Sequence, residues 1–454
     1  MCQKYASLHI FGTYCIIAAV INMLKRKITA MLEEWKKSKK QDCLLIRGVR
    51  QCGKTFIVRQ FAKDNYKNFV ELNFIEHPEF KLAFDAQLDV DTIIRGLSLQ
   101  KRDIAFVPGE TLILLDEIQE CPAARTSLKF FAEDGRFDVI ATGSLLGLGY
   151  KGIVSIPVGY ETQLEMYPLD FTEFLWAMGV DDSIIPPLSF LTDGELMIPE
   201  AIHVSLLSLL REYMVVGGMP DVVNKYLETS DFSTVHSAQE RILRDYQDDI
   251  AKYAGSADRI KAKACYLSIP RQLTKDNHKF QYSAVEKRGT ARKFESSLDW
   301  LRAAGLVVCS NNLSAPFFPL NAYGKEDQFR IYLSDIGLFT SMFGYQMKGA
   351  LLNDTLEGPA KGGIYESLVA DIFYKNGHSL FYYKKDESSL EVEFLLEKDA
   401  HPLPIEVKAH RGPSKSLNEL LNRTEIPLGI KLTSQNAGRV GKKLTLPLYM
   451  AVRL

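Results

Sequence analysis

The chain reads as an α/β protein: a parallel sheet covered by helices, then a mainly helical stretch, then a second, smaller α/β unit. Three observations lead there. Gly48-Val49-Arg50-Gln51-Cys52-Gly53-Lys54-Thr55 has the pattern G-x-x-x-x-G-K-T and lies between a short apolar run and a helical pattern. Leu112-Ile113-Leu114-Leu115 is a continuous apolar run ending in Asp116-Glu117, as suits a central parallel strand covered on both faces. Beyond residue 362 a helical segment precedes short strands with a period-two start, a change of character from the helical stretch before it.

Cys43 to Ile46 is the strand that feeds the loop, and Phe56 to Ala62 is apolar at helical spacing after it. In that context the glycines let backbone N–H groups close on a phosphate chain, and the helix N-terminus points its dipole at the same place. Gly48 to Phe56 is therefore the candidate nucleotide-contacting stretch. Lys54 reaches the β- and γ-phosphates and the Thr55 hydroxyl ligates Mg²⁺ in this reading. Cys52 occupies a variable position of the pattern as a small side chain whose thiol would be open to oxidation. Asp116 stands at the carboxyl end of its strand, where open α/β sheets bind ligands, and is the second Mg²⁺ residue. Glu117 is the candidate base for the attacking water. Phe137 to Ser144 reads as another buried strand, and Thr142 and Ser144 are both candidates for sensing the γ-phosphate or that water.

The remaining totals bound the fold and its partners. The 454 residues suffice for two or three domains. A formal charge of -1 gives no global attraction to nucleic acid. Seven scattered cysteines with no C-x-x-C pair fit a reducing cytoplasm and argue against a zinc site or disulfide framework. Leu8 to Leu24 is apolar but interrupted and slightly short for a membrane span, so residues 1–22 read as a translation-start artefact or disordered extension. From Met23 on, Leu24, Ile28, Met31, Leu32 and Trp35 share a helical face.

Residues 23–180 are expected to form the first unit, 181–345 a helical and winged-helix unit, and 346–454 the last. Within the middle unit Gly217-Gly218-Met219-Pro220 is a sharp turn whose proline opens a helix. Three helices between 257 and 304 precede strands at 305–309 and 329–333, the order of a winged helix. Lysines and arginines crowd residues 252–293, and a basic helix-turn-helix face neutralises phosphates, so DNA is a candidate partner there, with packing against the first unit or another subunit as the alternative. In the last unit Glu366 lies on a helix, Glu393 on one strand, and Glu406 and Lys408 on the same face of the next. Two carboxylates and a lysine around Mg²⁺ suit phosphodiester hydrolysis. This is the pattern of the PD-(D/E)XK nuclease fold, from which Glu393 departs because an aspartate is usual there.

With these regions read, the chain from about residue 23 resembles a prokaryotic family of AAA-type P-loop ATPases with an uncharacterised C-terminal region ending in a PD-(D/E)XK-like domain. The loop at 48–55, Leu114 to Glu117, Ala141 to Ser144, Tyr167-Pro168-Leu169-Asp170-Phe171, Gly217 to Pro220 and Ile405 to Lys408 carry the resemblance. It implies ATP and Mg²⁺ as cofactors and ATP hydrolysis as the activity. Rival readings are an ATP-gated DNA nuclease and a non-catalytic nucleotide switch that docks a protein. Enzymes of this type often complete their sites with a neighbour's arginine, which would require an oligomer. Tyr160 follows Gly159 where relatives often carry a basic residue, leaving Arg136 as the weak candidate.

Overall fold

The computed structural model describes residues 24–38, 42–85, 87–102, 105–144, 159–191, 197–253, 258–275, 277–409 and 412–454. The expected extension at 1–22 and the first part of the extended segment at 155–167 lie outside them.

The first sheet contains β1 (Cys43–Gly48), β2 (Asn68–Asn73), β3 (Thr111–Asp116), β4 (Asp138–Ser144) and β5 (Glu161–Glu165). All pairings are parallel, in the order β2-β3-β4-β1-β5. Side chains alternate across it. Leu44, Ile46, Leu112, Leu114 and Ile140 enter one core, and Leu45, Ile113, Leu115, Val139 and Ala141 enter the other. Helices α1 (Ile28–Lys37) and α2 (Lys54–Asn65) contribute to the first core, and α3 (Val90–Gln100) and α4 (Pro122–Asp134) to the second. On α1, Ile28, Leu32 and Trp35 are buried. Met31 is 48% exposed, contrary to the expected face, because it lies at the margin of a stripe centred on the other three.

A third core begins at Leu169 and runs to Ala451. It takes in α5 (Phe171–Ala177), whose start is fixed by a capping box: Asp170 accepts from the Glu173 N–H at 2.8 Å and Glu173 accepts from the Asp170 N–H at 3.3 Å. Phe171, Phe174 and Leu175 thus pack with the residues C-terminal to them, and a division at 180 falls after a helix that already belongs to the second body.

Next come α6 (Glu200–Val216), α7 (Pro220–Thr229), α8 (Phe232–Tyr253), α9 (Arg259–Leu273), α10 (Tyr282–Val285) and α11 (Ala291–Ala303). An antiparallel hairpin of β6 (Val307–Leu313) and β7 (Gly324–Leu333) comes after them. Then α12 (Ile336–Ser341), α13 (Gln346–Leu352) and α14 (Pro359–Lys375) lead to β8 (Leu380–Lys384), β9 (Glu391–Lys398), β10 (His401–Lys408), α15 (Lys415–Leu421), β11 (Gly429–Thr433), β12 (Gly438–Val440) and β13 (Lys443–Pro447). The hairpin is not a free wing. Its β6 pairs in parallel with β8, making one eight-stranded sheet in the order β12-β13-β11-β10-β9-β8-β6-β7. A boundary at 345 would cut through that sheet, so the helical and last units share backbone pairing as well as a core.

Two of the motif segments meet. The Leu169 N–H donates to Gly218 O at 2.7 Å, and the Gly218 N–H donates to Asp335 Oδ2 at 2.7 Å. A Cβ on Gly218 would lie 2.0 Å from Leu169 O, which explains the glycine.

Candidate functional site

Loop 48–53 joins β1 to α2. Gln51 (φ 66°) and Gly53 (φ 97°) both take left-handed backbone there, which turns the chain sharply into the helix. Gly48 is required for a second reason: a Cβ would lie 2.1 Å from Met166 O. Lys54 is buried and donates to Gly48 O at 3.0 Å and Val49 O at 2.9 Å, so its ammonium rests on the loop's own carbonyls. Phe56 is half exposed on the first turn of α2. The Cys52 side chain has no exposure, which removes it from solvent oxidants.

Strand order places β4 between β1 and β3, yet the loop and the acid meet across it. Thr55 Oγ1 lies 3.1 Å from both Asp116 oxygens. The Thr142 hydroxyl, on the intervening strand, also donates to Asp116 Oδ1. The Asn73 amide donates to Oδ2 at 3.0 Å. Burial raises the Asp116 carboxyl above its ordinary value; the Thr142 hydrogen bond opposes this, and the Glu117 charge reinforces it. Glu117 begins the following turn with left-handed backbone (φ 54°) and accepts from Gln119 Nε2 at 2.5 Å. The backbone of Ser144 pairs with Gly48 at the end of β4; its side chain lies outside the described set. A hydroxyl and a carboxylate converging in this way fit a Mg²⁺ held beside a phosphate chain. Asn73 was missed from sequence. It stands in register with Asp116 on the neighbouring strand, a signal visible only once the strands are paired.

The loop is also held from the second body. Arg50 pairs with Asp249, Gln51 donates to Asp245 Oδ2 at 2.8 Å, and the Tyr246 hydroxyl donates to Arg50 O at 3.0 Å, all three partners lying on α8. Arg26 donates to Cys52 O at 3.1 Å and to Tyr167 O at 2.6 Å. Arg136 lies apart from this site, its guanidinium paired with Asp134 and Asp91.

The basic stretch is divided. Lys263, Arg271, Lys275, Lys287, Arg288, Arg292 and Lys293 are exposed, and Lys293 pairs with Glu286 at 2.6 Å. The cleft of about 500 Å³ between α11 and the hairpin is instead lined by Glu295, Asp299, Glu326 and Asp327, with Arg302 near Asp299 at 3.6 Å. A phosphate backbone finds its own sign of charge in that cleft.

In the last sheet Glu393, Glu406 and Lys408 come together. Lys408 Nζ lies 3.4 Å from Glu393 Oε1 and 3.5 Å from Glu406 Oε1, and the Val407 N–H donates to Glu393 at 3.2 Å. Glu406 Oε2 is buried with no hydrogen-bond partner. Burial lifts the Glu393 carboxyl to about 7 against the pull of Lys408, and Glu366 and Glu406 add to the rise. Glu366 behaves oppositely. Burial alone would raise it, but Arg330 and His278 hold it at about 2. Among the described residues no three His, Cys, Asp or Glu side chains converge on a metal position. Nor is any described helix long and apolar enough to cross a membrane.

Residues 40–175 match a family model described as an AAA domain. Residues 207–348 and 361–445 match two models, each described as a domain of unknown function (DUF8612 and DUF4143). An uncharacterized protein of Haemophilus influenzae is 28% identical over 187 residues, 39% of this chain and 40% of that protein. One from Methanocaldococcus jannaschii is 24% identical over 207 residues, 45% of this chain and 40% of that protein. The match thus spans about two fifths of the length of these curated relatives. Among solved structures, the Walker-type ATPase PABY2304 of Pyrococcus abyssi overlaps 72% of this chain and 97% of its own at 12% identity and a TM-score of 0.41. The ORC1 protein of Aeropyrum pernix, solved in complex with DNA, overlaps 76% and 98% at 13% identity and a TM-score of 0.29.

Proposed function

We propose that the chain, whose residues 40–175 form an AAA-type P-loop domain, binds ATP with Mg²⁺ on loop 48–55 and hydrolyses it. One observation carries this reading: the Thr55 hydroxyl and the Asp116 carboxylate, 61 residues apart in sequence, meet at 3.1 Å beside the N-terminus of α2. Thr55 and Asp116 would hold the ion, which when bound supplies positive charge against the phosphate oxygens. Lys54 exchanges two loop carbonyls for the β- and γ-phosphates. The loop amides and the helix dipole bind the chain of phosphates. Glu117 takes the proton of the water that attacks the γ-phosphorus as the bond to the bridging oxygen breaks. Thr142 donates to Asp116 and orients it, and Asn73 does the same from the other side. Ser144, at the strand end opposite Gly48, is the second candidate for sensing the γ-phosphate.

The α8 contacts to Arg50 and Gln51 give the nucleotide a lever on the second body. ATP that draws the loop inward competes with Asp245 and Asp249 for those side chains. The test is ATP turnover by the purified chain and by Lys54→Ala. Loss of turnover in the variant is expected. An unchanged rate would overturn the assignment.

A further inference from the structure

The nuclease-like pattern calls for a divalent ion among Glu366, Glu393 and Glu406, and the side chains there do not fit one. Both oxygens of Glu366 are engaged by protein donors. Oε1 accepts from Arg330 at 2.6 Å and from the Tyr332 hydroxyl, and Oε2 meets His278 Nδ1 at 2.6 Å. Arg330 is 1% exposed, pairs through its other terminal nitrogen with Glu391, and lies 4.2 Å over the ring of Tyr382. Mg²⁺ needs several oxygens in near-octahedral array. What remains is one unpartnered oxygen, on Glu406, beside the Lys408 ammonium.

The donors also come from an unexpected place. His278 precedes α10 and Arg330 lies on β7, both outside the last unit as the sequence divides it. The hairpin that joins the eight-stranded sheet thereby carries a cation into the centre. Arginine suits this position: its charge is permanent, its planar fork serves two carboxylates at once, and it stacks on an aromatic face. A charge so buried persists only when paired, and here it is paired twice.

We propose that Arg330 stands in for the divalent ion, so that the C-terminal centre is a metal-free ionic joint between β7, α14 and β9 and not a phosphodiesterase. The joint fastens the helical region to the last sheet and makes them move as one.

The test uses the full chain without nucleotide and Mn²⁺ alone, with free Mn²⁺ followed by electron paramagnetic resonance. Uptake elsewhere on the protein is common to all samples. The parent and Glu406→Gln are expected to take up the same Mn²⁺, and the parent to give no Lys408-dependent products from DNA or RNA. Uptake by the parent that Glu406→Gln abolishes, or cleavage that Lys408→Ala abolishes, overturns the proposal. Arg330→Gln should gain a Mn²⁺ site that Glu366→Gln, added to it, removes. A folded Arg330→Gln with no such gain refutes the role given to the arginine. If Arg330→Gln does not fold, the comparison of parent with Glu406→Gln decides.

Discussion

Replacing Glu393 by glutamine should stabilise the protein, and more so as pH rises. The folded carboxyl titrates at about 7 against an ordinary value of 4.5, chiefly because β9 buries it, with Lys408 opposing and Glu366 and Glu406 adding their repulsion. The unfolded chain releases this proton near 4.5 and the folded chain near 7. Between those values the folded state holds more protons, so stability falls as pH rises through the window. At about 1.36 kcal/mol per pH unit the full interval is worth about 3 kcal/mol against the folded state at pH 8, and about 1 kcal/mol at pH 5. Glutamine imitates the protonated form and removes the whole effect, while Lys408 keeps Glu406 as a partner at 3.5 Å. Scanning calorimetry of parent and variant from pH 5 to pH 8 measures it. With roughly 2–4 °C per kcal/mol for a unit of this size, the variant should melt about 6–12 °C higher at pH 8 and only a few degrees higher at pH 5. A pH-independent difference, or a less stable variant at pH 8, would refute the reasoning.

Other outcomes rest on the same geometry. Glu117→Gln should still bind ATP but turn it over roughly 10²–10⁴-fold more slowly, checked by equilibrium binding beside a turnover assay; loss of binding would deny it the role of base. Asp249→Asn weakens a half-exposed ion pair to Arg50, so hydrogen exchange across residues 48–55 should quicken roughly fivefold, equivalent to about 1 kcal/mol. Gly218→Ala sets a Cβ 2.0 Å from Leu169 O, backbone that cannot step aside, and should sharply reduce the yield of folded protein; a variant that melts like the parent would show that the turn is adaptable.

The first sheet was legible because its signals are local. A loop with fixed glycines, an apolar run and a terminal acid each lie within a few residues, and parallel strands buried on both faces must be apolar throughout. The residues that sequence reading missed act at long range. Asn73 gains meaning only when β2 is laid beside β3. Arg330 looks like one more strand cation until β7 is carried to α14, 36 positions away. The winged-helix reading left out the hairpin's place in a larger sheet for the same reason. Helix order is a local property, whereas pairing of β6 with β8 joins residues about 70 apart. Charge density is incomplete in a related way: a count over 252–293 finds the exposed cations but cannot show that the cleft beside α11 is lined by four acids from two separate segments.

The cores say how a nucleotide could act at a distance. Residues 28–166 fill the two clusters on either face of the first sheet, and a different cluster starts at Leu169 and continues to Ala451. Between these bodies lie polar contacts, Arg26 and Lys27 on Glu173 and Asp170, Tyr374 on Glu165 and the P-loop on α8, together with the ring contact of Tyr167 on Tyr374 and Lys25 over Trp176. Packed cores resist deformation, so a change at the loop would be taken up at that seam. Behind the seam Lys375, at the end of α14, is fully buried against Asp371 at 2.8 Å and Asp335 at 3.2 Å, and it also donates to Leu169 O at 3.2 Å. Asp335 in turn holds the Gly218 N–H. The helix that carries Glu366 is therefore tied to the same segment that borders the P-loop. Under the proposed function, a nucleotide that moved α8 would displace the helices and the eight-stranded sheet together.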